Sequence, residues 1–465
     1  CMEYYAKSKK VQFTSERINE IKKNMKNIEE CLKENLTETD VEILNSSITD
    51  IAEKTEEKQK TLKEHHKDIV TCAEMFFLEY GEYFTEKEKK LVVEACRIHD
   101  LGKVNLVFQA MICPKLAEKF HIDVRKTSQI PHGFLSAVTI SLDEFDDLSE
   151  LFSDKDFGPF ITAVYYHHDR EDHYNSPAIR KYAEKYYMKQ IEEYLNRKIR
   201  KLNCSNLDDL LFRNNVYTGK YIPDSNAWKE YLLIKGLLNK FDYTVSAGYE
   251  NAESAIDLHE KKLVKNIEKF LNGKELRPAQ KFMKMNRDKN LIVIAPTGSG
   301  KTEASLLWMN GEKSFYTLPL KVSSNAIYLR IKENYEYKDV ALLHSDAMAV
   351  YLREYNGNED IGEKYERSKM LSQPLTVCTV DQLFRFVYRA LGTEIFAATL
   401  KYSKLVLDEI QAYEPRVIAT IIYGLKMIQE MGGKFAIITA TFPPVLKYFM
   451  EQYGLVEGKQ YIFKD

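Results

Sequence analysis

Cysteine is scarce in this 465-residue sequence: it occurs seven times, an odd number, and no pair has the C-x-x-C spacing. This pattern argues against a disulfide framework and against a zinc site made of thiolates. It also indicates a reducing compartment, where thiols stay unpaired.

An excess of charge of one sign and long apolar runs are lacking as well. The formal net charge is −2 with 29% charged residues, so any path for nucleic acid must be a local basic patch. No stretch reaches the roughly 18 apolar residues of a membrane-spanning helix, and the first residues lack the apolar core of a signal peptide. We therefore expect a cytoplasmic protein with no membrane partner.

The chain is too long for one ordinary domain, and its 44% of hydrophobic residues suffices for separate cores. Helical patterns dominate 65–250, and a charged helical stretch at 262–275 ends at Gly273, as at a domain boundary. Short apolar runs then alternate with helical segments, which predicts an all-α domain followed by an α/β lobe with a parallel sheet. These runs are 290–296, 313–319, 339–345, 374–380, 403–409 and 433–441.

A phosphate-binding loop is predicted at 295–303, where "APTGSGKTE" follows a buried-strand pattern and precedes a helix. In such a loop, glycine backbone N–H groups turn around a phosphate, a lysine reaches the outer phosphates and a threonine hydroxyl holds Mg²⁺. The usual pattern begins with Gly, whereas this chain has Ala295. The residues assigned to the nucleotide are Thr297, Gly298, Ser299, Gly300, Lys301 and Thr302.

Two adjacent carboxylates end a later strand pattern, "LVLDEIQ" at 405–411. Parallel strands present their ligand sites at their carboxyl ends, so both side chains should lie near the phosphate loop. Asp408 fits a water-mediated hold on Mg²⁺, and Glu409 fits the position that orients the attacking water.

These motifs, in this order, resemble the first RecA-like lobe of a superfamily 2 helicase over residues 275–446. The resemblance implies that Gln280 of "RPAQ" reads adenine. It implies that 318–330 and 379–383 grip the phosphates of a nucleic-acid strand. It further implies that "TATFP" at 439–443 couples nucleotide state to domain motion.

Such helicases have a second RecA-like lobe, which carries the arginines that complete the ATP site. That lobe is missing from this sequence, whose last residue is Asp465. We expect either a fragment or a chain that works beside a partner subunit. By itself it should hold nucleotide weakly and unwind no duplex.

The stretch "RIHDLGK" at 97–103 places an imidazole beside a carboxylate at the end of a helical pattern. Such a pair is often a satisfied core histidine or a solvated helix end. Only 10 histidines occur in the chain, however, and several of them cluster in its first half. The clustered residues are His65, His66, His99, His132, His167 and His168.

A histidine-bearing helical domain ahead of a helicase lobe resembles the CRISPR-associated nuclease–helicase of type I systems, whose front half is an HD-type nuclease. "YYAKSK" near the start and "TLKEHHKDIV" at 61–70 are similar to the family's opening, here separated by a helical insertion at 11–60. The implied organisation is an HD nuclease domain at 1–255, a linker helix at 256–274 and the first RecA-like lobe at 275–465.

The resemblance implies a nuclease site with two divalent transition metals. Imidazole and carboxylate ligands without thiolate suit Fe, Mn, Ni or Co. Asp100 is the expected bridge because a carboxylate has two oxygens, Lys103 would neutralise the scissile phosphate, and His66 is a competing register for His65. One metal is assigned to His65, His99, Asp100 and Asp242, and the other to Asp100, His132, His167 and His168.

The implied function is a metal-dependent single-stranded DNA nuclease, endo- or exonucleolytic, coupled to an ATP-dependent helicase that uses Mg²⁺. It would degrade foreign DNA unwound by a CRISPR RNA-guided surveillance complex. Asp100, Lys103 and Glu409 are the expected catalytic residues. Two alternatives stay open: an HD-type nucleotide phosphohydrolase, and a nucleic-acid-binding recruitment module with an inactive partial helicase.

Overall fold

The structure is a computed structural model. It describes residues 4–6, 60–140, 157–168, 176–199, 202, 225–254, 261–354, 361–456 and 458–463. The helical insertion predicted at 11–60 lies outside these residues, except for Lys60. The described residues of 60–254 are the helical region, and those of 261–463 are the sheet region.

The helical region is built from α-helices joined by turns, as predicted. Its first two helices begin with the same capping box: the Thr61 hydroxyl accepts from the Glu64 N–H at 3.2 Å, and the Glu64 carboxylate accepts from the Thr61 N–H at 2.9 Å. Thr85 and Glu88 repeat the pattern. The helices are α1 (Leu62–Tyr80), α2 (Glu86–Ile98), α3 (Leu106–Ile112), α4 (Pro114–Lys119), α5 (His132–Thr139), α6 (Phe157–Tyr165), α7 (Ser176–Tyr186), α8 (Met188–Leu195) and α9 (Asn226–Ser246).

One parallel sheet forms the core of the sheet region, which confirms the predicted class. Its strands are β1 (Leu291–Ile294), β2 (Ser314–Leu318), β3 (Val340–Leu343), β4 (Leu375–Thr379), β5 (Lys404–Asp408), β6 (Lys434–Thr439) and β7 (Gln460–Ile462). Their order is β3-β4-β2-β5-β6-β1-β7. Each strand from β1 to β6 lies inside a predicted run, whereas β7 is too short to show a periodic signal.

Helices connect these strands and cover the sheet. They are α10 (Lys262–Leu271), α11 (Pro278–Met285), α12 (Lys301–Met309), α13 (Lys321–Glu333), α14 (Ala347–Arg353), α15 (Ile361–Lys369), α16 (Val380–Leu383), α17 (Glu394–Lys401), α18 (Pro415–Met431) and α19 (Pro444–Gln452). α10 stops at Asn272 and Gly273, both left-handed, close to its predicted end. Among the described helices, none combines the length and the apolar character needed to cross a membrane.

α9 lies between the two regions. It packs against α1, α2 and α6 of the helical region and against α17 of the sheet region. The close approach to α17 is at Gly236, where a Cβ atom would come within 2.5 Å of the Ala398 Cβ and of the Glu394 carbonyl oxygen. Because any side chain there would force the backbones apart, glycine sets the distance between these helices.

A buried ion pair joins the regions next to this contact. The Glu394 carboxylate accepts from the Tyr231 hydroxyl at 2.7 Å and lies 3.1 Å from the Lys235 Nζ. The Lys235 and Glu394 side chains are only 0% and 2% exposed. Charges at such depth are tolerated when they are paired and hydrogen-bonded, so this contact depends on both partners.

Glu253 forms a second buried connection. Its Oε1 lies 2.8 Å from the Lys240 Nζ and accepts from the Tyr402 hydroxyl at 2.6 Å, and its Oε2 pairs with Lys313. Both lysines also donate to the Leu371 carbonyl oxygen. Burial lowers the pKa of Lys313 to about 7. The helical and sheet regions are therefore joined by polar contacts that are satisfied only when the regions are docked.

Glu394→Ala will destabilise the protein by about 3–5 kcal/mol, because it removes the carboxylate beside the buried Lys235. Glu430→Ala is the matched control: its partner Lys229 is also on α9, at 2.8 Å, but the side chains are 20% and 32% exposed. Loss of such a pair costs at most about 1 kcal/mol. Urea unfolding followed by tryptophan fluorescence compares the variants, and equal midpoints would contradict the role given to the buried pair.

Candidate metal centre and nucleotide site

Asp100 lies at the centre of a buried histidine cluster. It follows His99 at the end of α2, and its side chain has 0% exposure. Its Oδ2 is 3.3 Å from the His65 Nε2 and 3.4 Å from the His99 Nε2. Its Oδ1 is 3.2 Å from the His132 Nε2 and 3.6 Å from the His167 Nε2. The two oxygens therefore face different pairs of imidazoles.

Two more residues assigned to the metals lie beside these pairs. Asp242 of α9 places its Oδ1 3.2 Å from the His65 Nε2, and it accepts a hydrogen bond from the Ser246 hydroxyl at 3.1 Å. His168 offers a ligand atom within 4.8 Å of those of Asp100, His132 and His167. The structure thus brings all the residues assigned to the metals into one cluster.

Close packing of two turns holds the cluster together. A Cβ atom on Gly102 would come within 2.0 Å of the His132 carbonyl oxygen, so only glycine lets the turn after Asp100 approach the start of α5. The Ser136 hydroxyl connects the two, because it accepts from the Gly102 N–H at 2.8 Å and donates to the His132 carbonyl oxygen at 2.9 Å. The sequence "DLG" is thereby fixed against "PHGFLS".

Backbone carbonyl groups decide which ring nitrogen of two histidines faces Asp100. The His99 Nδ1 lies 3.0 Å from the Cys96 carbonyl oxygen, and the His167 Nδ1 lies 2.6 Å from the Val164 carbonyl oxygen. Since a carbonyl oxygen only accepts, each Nδ1 carries the hydrogen and each neutral ring keeps its lone pair on Nε2. Both lone pairs are directed into the cluster.

The donor atoms of the cluster suit a divalent metal. Within the described residues, several of them are buried and make no hydrogen bond: His65 Nε2, His99 Nε2, His132 Nε2, His167 Nε2 and Asp100 Oδ1. Buried polar atoms nearly always have a partner, so such a concentration calls for a ligand. Imidazole and carboxylate donors without thiolate fit first-row divalent ions. The residues present therefore fit the metals that the sequence implied.

The pKa shifts of two histidines favour the neutral rings that metal binding requires. Burial lowers the pKa of His132 to about 3 and also lowers that of His167, so both rings are neutral near pH 7. Burial would lower the pKa of His65 as well, but its contacts with Asp100 and Asp242 raise it. Burial would raise the pKa of Asp100, but His99 and Lys103 outweigh it and hold this pKa well below its usual range. The Lys103 Nζ lies 2.6 Å from the Asp100 Oδ2, so this lysine contacts the central carboxylate.

The predicted phosphate loop joins β1 to α12. Gly298 and Gly300 have φ angles of +83° and +81°, a region that glycine enters without strain. Lys301 pairs with Glu409 across the loop. Gln280, assigned to adenine, places its Nε2 3.3 Å from the Gly300 carbonyl oxygen. The remaining loop residues differ in exposure: Thr297 is exposed, whereas Ser299 and Thr302 are buried.

Asp408, at the end of β5, has a partner that sequence analysis missed. Its Oδ2 accepts a hydrogen bond from the Tyr316 hydroxyl at 2.7 Å. Burial raises the pKa of Asp408 to about 6, and the hydrogen bond from Tyr316 opposes that rise. No spacing in the sequence indicates this contact, because it depends on β2 lying beside β5 in the sheet.

Glu409 is held by two residues that also escaped assignment. The Gln411 amide donates to its Oε2 at 2.6 Å, and the Thr439 hydroxyl lies 3.1 Å from the same oxygen and nearer to the Gln411 amide oxygen. Gln411 belongs to the "LVLDEIQ" motif and Thr439 to "TATFP", so both stood in segments already singled out. The contact gives the 439–443 segment a direct connection to the carboxylate.

The two segments expected to grip a nucleic-acid strand start at the carboxyl ends of neighbouring strands. The first, 318–330, follows β2, and the second, 379–383, follows β4, which pairs with β2. Leu320 and Val322 of the first segment are 64% and 76% exposed. Since all strands are parallel, both segments share the sheet edge that carries the phosphate loop.

Asp100→Asn will reduce the bound Mn²⁺ from about two ions per chain to less than one, because it removes the charge of the carboxylate that, among the described residues, faces both imidazole pairs. Asp123→Asn, which changes an exposed carboxylate paired with Lys126 at 3.3 Å, is the control and should retain both ions. Equilibrium dialysis with elemental analysis measures the ratio, and circular dichroism checks the fold. Two ions retained by folded Asp100→Asn would refute a shared ligand at this position.

The affinity for Mg²⁺-nucleotide will fall as the pH drops through about 6, because protonated Asp408 no longer attracts the cation. Tyr316→Phe will move this midpoint to higher pH, because the hydrogen bond from Tyr316 lowers the pKa of Asp408. The effect of Glu409, which raises this pKa, and that of Lys301, which lowers it, both remain. Titration with a fluorescent ATP analogue between about pH 5 and pH 8 measures the midpoint.

The control for this titration is Tyr328→Phe, which removes a hydroxyl bonded to Glu354 at 2.9 Å. It should leave the midpoint unchanged. A Tyr316→Phe midpoint equal to that of the unaltered chain would contradict the contact with Asp408.

Two family models match successive parts of the chain. The HD domain of Cas3 matches residues 52–226, and the DEAD/DEAH box helicase matches residues 278–449. The CRISPR-associated nuclease/helicase Cas3 of Methanothermobacter thermautotrophicus is 25% identical over 464 residues. That alignment covers 86% of this chain and 54% of the relative, so the chain spans about half the length of the relative.

Solved structures share the fold. A crystal structure of T. fusca Cas3 with ATP has a TM-score of 0.58 at 17% identity and covers 88% of this chain and 51% of its own. A chain in a CRISPR RNA-guided surveillance complex, in a pre-nicking state, has a TM-score of 0.50 at 17% identity, with 88% and 49% covered. The chain therefore carries a region that matches the HD domain of Cas3, followed by a region that matches the DEAD/DEAH box helicase, and it is similar in sequence and in fold to proteins named Cas3.

Proposed function

We propose that this chain provides a metal-dependent single-stranded DNA nuclease together with the ATP-binding lobe of a helicase, acting on foreign DNA in CRISPR interference. The observation that carries the nuclease proposal is the Asp100 carboxylate, whose oxygens face separate imidazole pairs. A shared carboxylate with a ligand set on each side is the arrangement that holds two divalent ions together. Two-metal sites of this kind serve phosphodiester hydrolysis.

The chain's own residues prepare this site. When bound, Fe, Mn, Ni or Co ions would supply Lewis acidity and lower the pKa of water. Burial favours the neutral form of His132, carbonyl groups orient His99 and His167, and Lys103 balances the charge on Asp100. The ions would be held by His65, His99 and Asp242 on one side and by His132, His167 and His168 on the other, with Asp100 shared.

The helicase lobe would bind ATP with Mg²⁺. A domain of the DEAD/DEAH box type implies nucleotide binding, and the T. fusca Cas3 of similar fold was crystallised with ATP. An arriving phosphate would draw Lys301 away from Glu409, because a phosphate attracts the ammonium more strongly than one carboxylate does. Gln411 and Thr439 would then keep Glu409 in place to orient water, while Asp408 and Thr302 would hold Mg²⁺.

The substrate and the partner follow from the same argument. A net charge of −2 gives no general attraction for DNA, so a strand must be gripped locally, at the segments after β2 and β4. A chain of similar fold is part of a CRISPR RNA-guided surveillance complex. We propose that such a complex presents the DNA strand to this chain.

The proposal is tested with circular single-stranded DNA beside a panel of dNTPs, each with Mn²⁺, Ni²⁺ or Co²⁺. We expect nicking of the circle without ATP, intact dNTPs, and no cleavage by Asp100→Asn. Hydrolysis of the dNTPs with the circle left intact would favour a nucleotide phosphohydrolase. No hydrolysis of either substrate by metal-loaded protein would leave only a binding role.

Lys301→Ala will abolish ATP binding but leave cleavage of circular single-stranded DNA within about twofold of the unaltered chain, because the two sites lie in different regions and use different chemistry. Lys269→Ala, a change of an exposed lysine paired with Glu336 at 2.8 Å, is the control for nucleotide binding. Filter binding of ATP and gel assays of the DNA provide the measurements. Equal loss of both properties would point to one shared site.

A further inference from the structure

His66 is a site histidine to which no role has been given. It follows His65 on α1, and its side chain is buried. Its ring centroid lies 6.5 Å from that of His65 and 5.9 Å from that of His99. Neither of the two ligand groups around Asp100 includes it. His66 therefore lies beside the metal cluster without belonging to its ligand sets.

Tyr194 of α8 determines which nitrogen of His66 carries a hydrogen. The Tyr194 hydroxyl lies 3.1 Å from the His66 Nδ1. A phenol is a strong donor and a weak acceptor, whereas a neutral imidazole nitrogen is a good acceptor, so the hydroxyl donates to Nδ1 and the hydrogen of the ring is on Nε2. Tyr194 is itself fixed by an edge contact with Tyr4, at 5.9 Å between ring centroids.

The Nε2–H of His66 has no acceptor within the described residues, and the atom is buried. A buried N–H of this kind is rare unless a ligand or water accepts from it. The titratable neighbours on this side are His65, His99, Asp100 and Lys103. Asp100 already faces four imidazoles and Lys103, so no described side chain supplies this acceptor.

We propose that His66 is a substrate-binding residue that donates its Nε2–H to a non-bridging oxygen of the phosphodiester, with Tyr194 as the positioning residue that sets its tautomer. The inference rests on the proposed nuclease function and deepens it. A phosphodiester oxygen is anionic, accepts readily and arrives with the substrate of this site. The role is independent of the charge on the ring, because Nε2 carries a hydrogen in both the neutral form set by Tyr194 and the imidazolium.

Three variants separate this role from metal binding. His66→Leu removes the donor, His66→Gln returns an N–H at a similar reach, and Tyr194→Phe removes only the hydroxyl. We expect full Mn²⁺ content in all three. We expect kcat/KM for oligo(dT) cleavage to fall about 10- to 100-fold in His66→Leu, as for loss of a hydrogen bond to a charged group, with most activity retained in His66→Gln. Tyr194→Phe should fall less than His66→Leu.

Two readouts do not depend on cleavage. Long-range ¹H–¹⁵N spectra of histidine-labelled protein should show His66 with a bare Nδ1, and with mixed tautomers in Tyr194→Phe. Binding of inorganic phosphate to the Mn²⁺-loaded protein, measured by calorimetry, should weaken about tenfold in His66→Leu.

The outcomes discriminate between the two proposals. Loss of metal in folded His66→Leu would make His66 a ligand and overturn the inference, as would unchanged cleavage and unchanged phosphate binding. If the chain cut no DNA at all although metal-loaded, the nuclease proposal would fail, and phosphate binding by His66→Leu would still decide the role of His66.

Discussion

The burial of one ionised carboxylate determines the arrangement of the helical region. An isolated charge at the depth of Asp100 would be costly, and it is acceptable here because imidazole nitrogens and Lys103 surround it. α1, the end of α2, α5 and the residues after α6 each deliver a side chain to it, and α9 adds Asp242 beside them. The capping boxes begin two of the helices that carry these side chains. Gly102 lets the turn after Asp100 approach α5, and the carbonyl groups orient two of the rings toward Asp100.

α9 extends that constraint to the rest of the molecule. It carries Asp242 toward the cluster, and two residues earlier Lys240 binds Glu253 and the carbonyl of Leu371 in the sheet region. One turn before that, Gly236 lets α17 approach closely. A residue of the proposed nuclease site and the contacts of the helicase lobe are therefore on one rigid element, so the docking of the lobe and the position of Asp242 are mechanically connected.

The sequence alone predicted the strands, the phosphate loop and a cluster of histidines, because each depends on a local pattern or on residue types that are rare elsewhere in the chain. It missed contacts that depend on three-dimensional neighbours: Tyr316 meets Asp408 only because β2 lies beside β5, and Tyr194 meets His66 across 128 positions of sequence. β7 carried no periodic signal in three residues. The role of Lys103 at the scissile phosphate stays a prediction, and the contact of its Nζ with Asp100 was not foreseen.

The central claim is that Asp100 serves two metal ions at once, and electron paramagnetic resonance of the Mn²⁺-loaded protein tests it most directly. Two ions that share a carboxylate are exchange-coupled, so the account predicts the spectrum of a coupled pair at two equivalents of Mn²⁺. The six-line spectrum of isolated ions at every stoichiometry would contradict it, because it would mean that the two imidazole sets do not hold ions side by side.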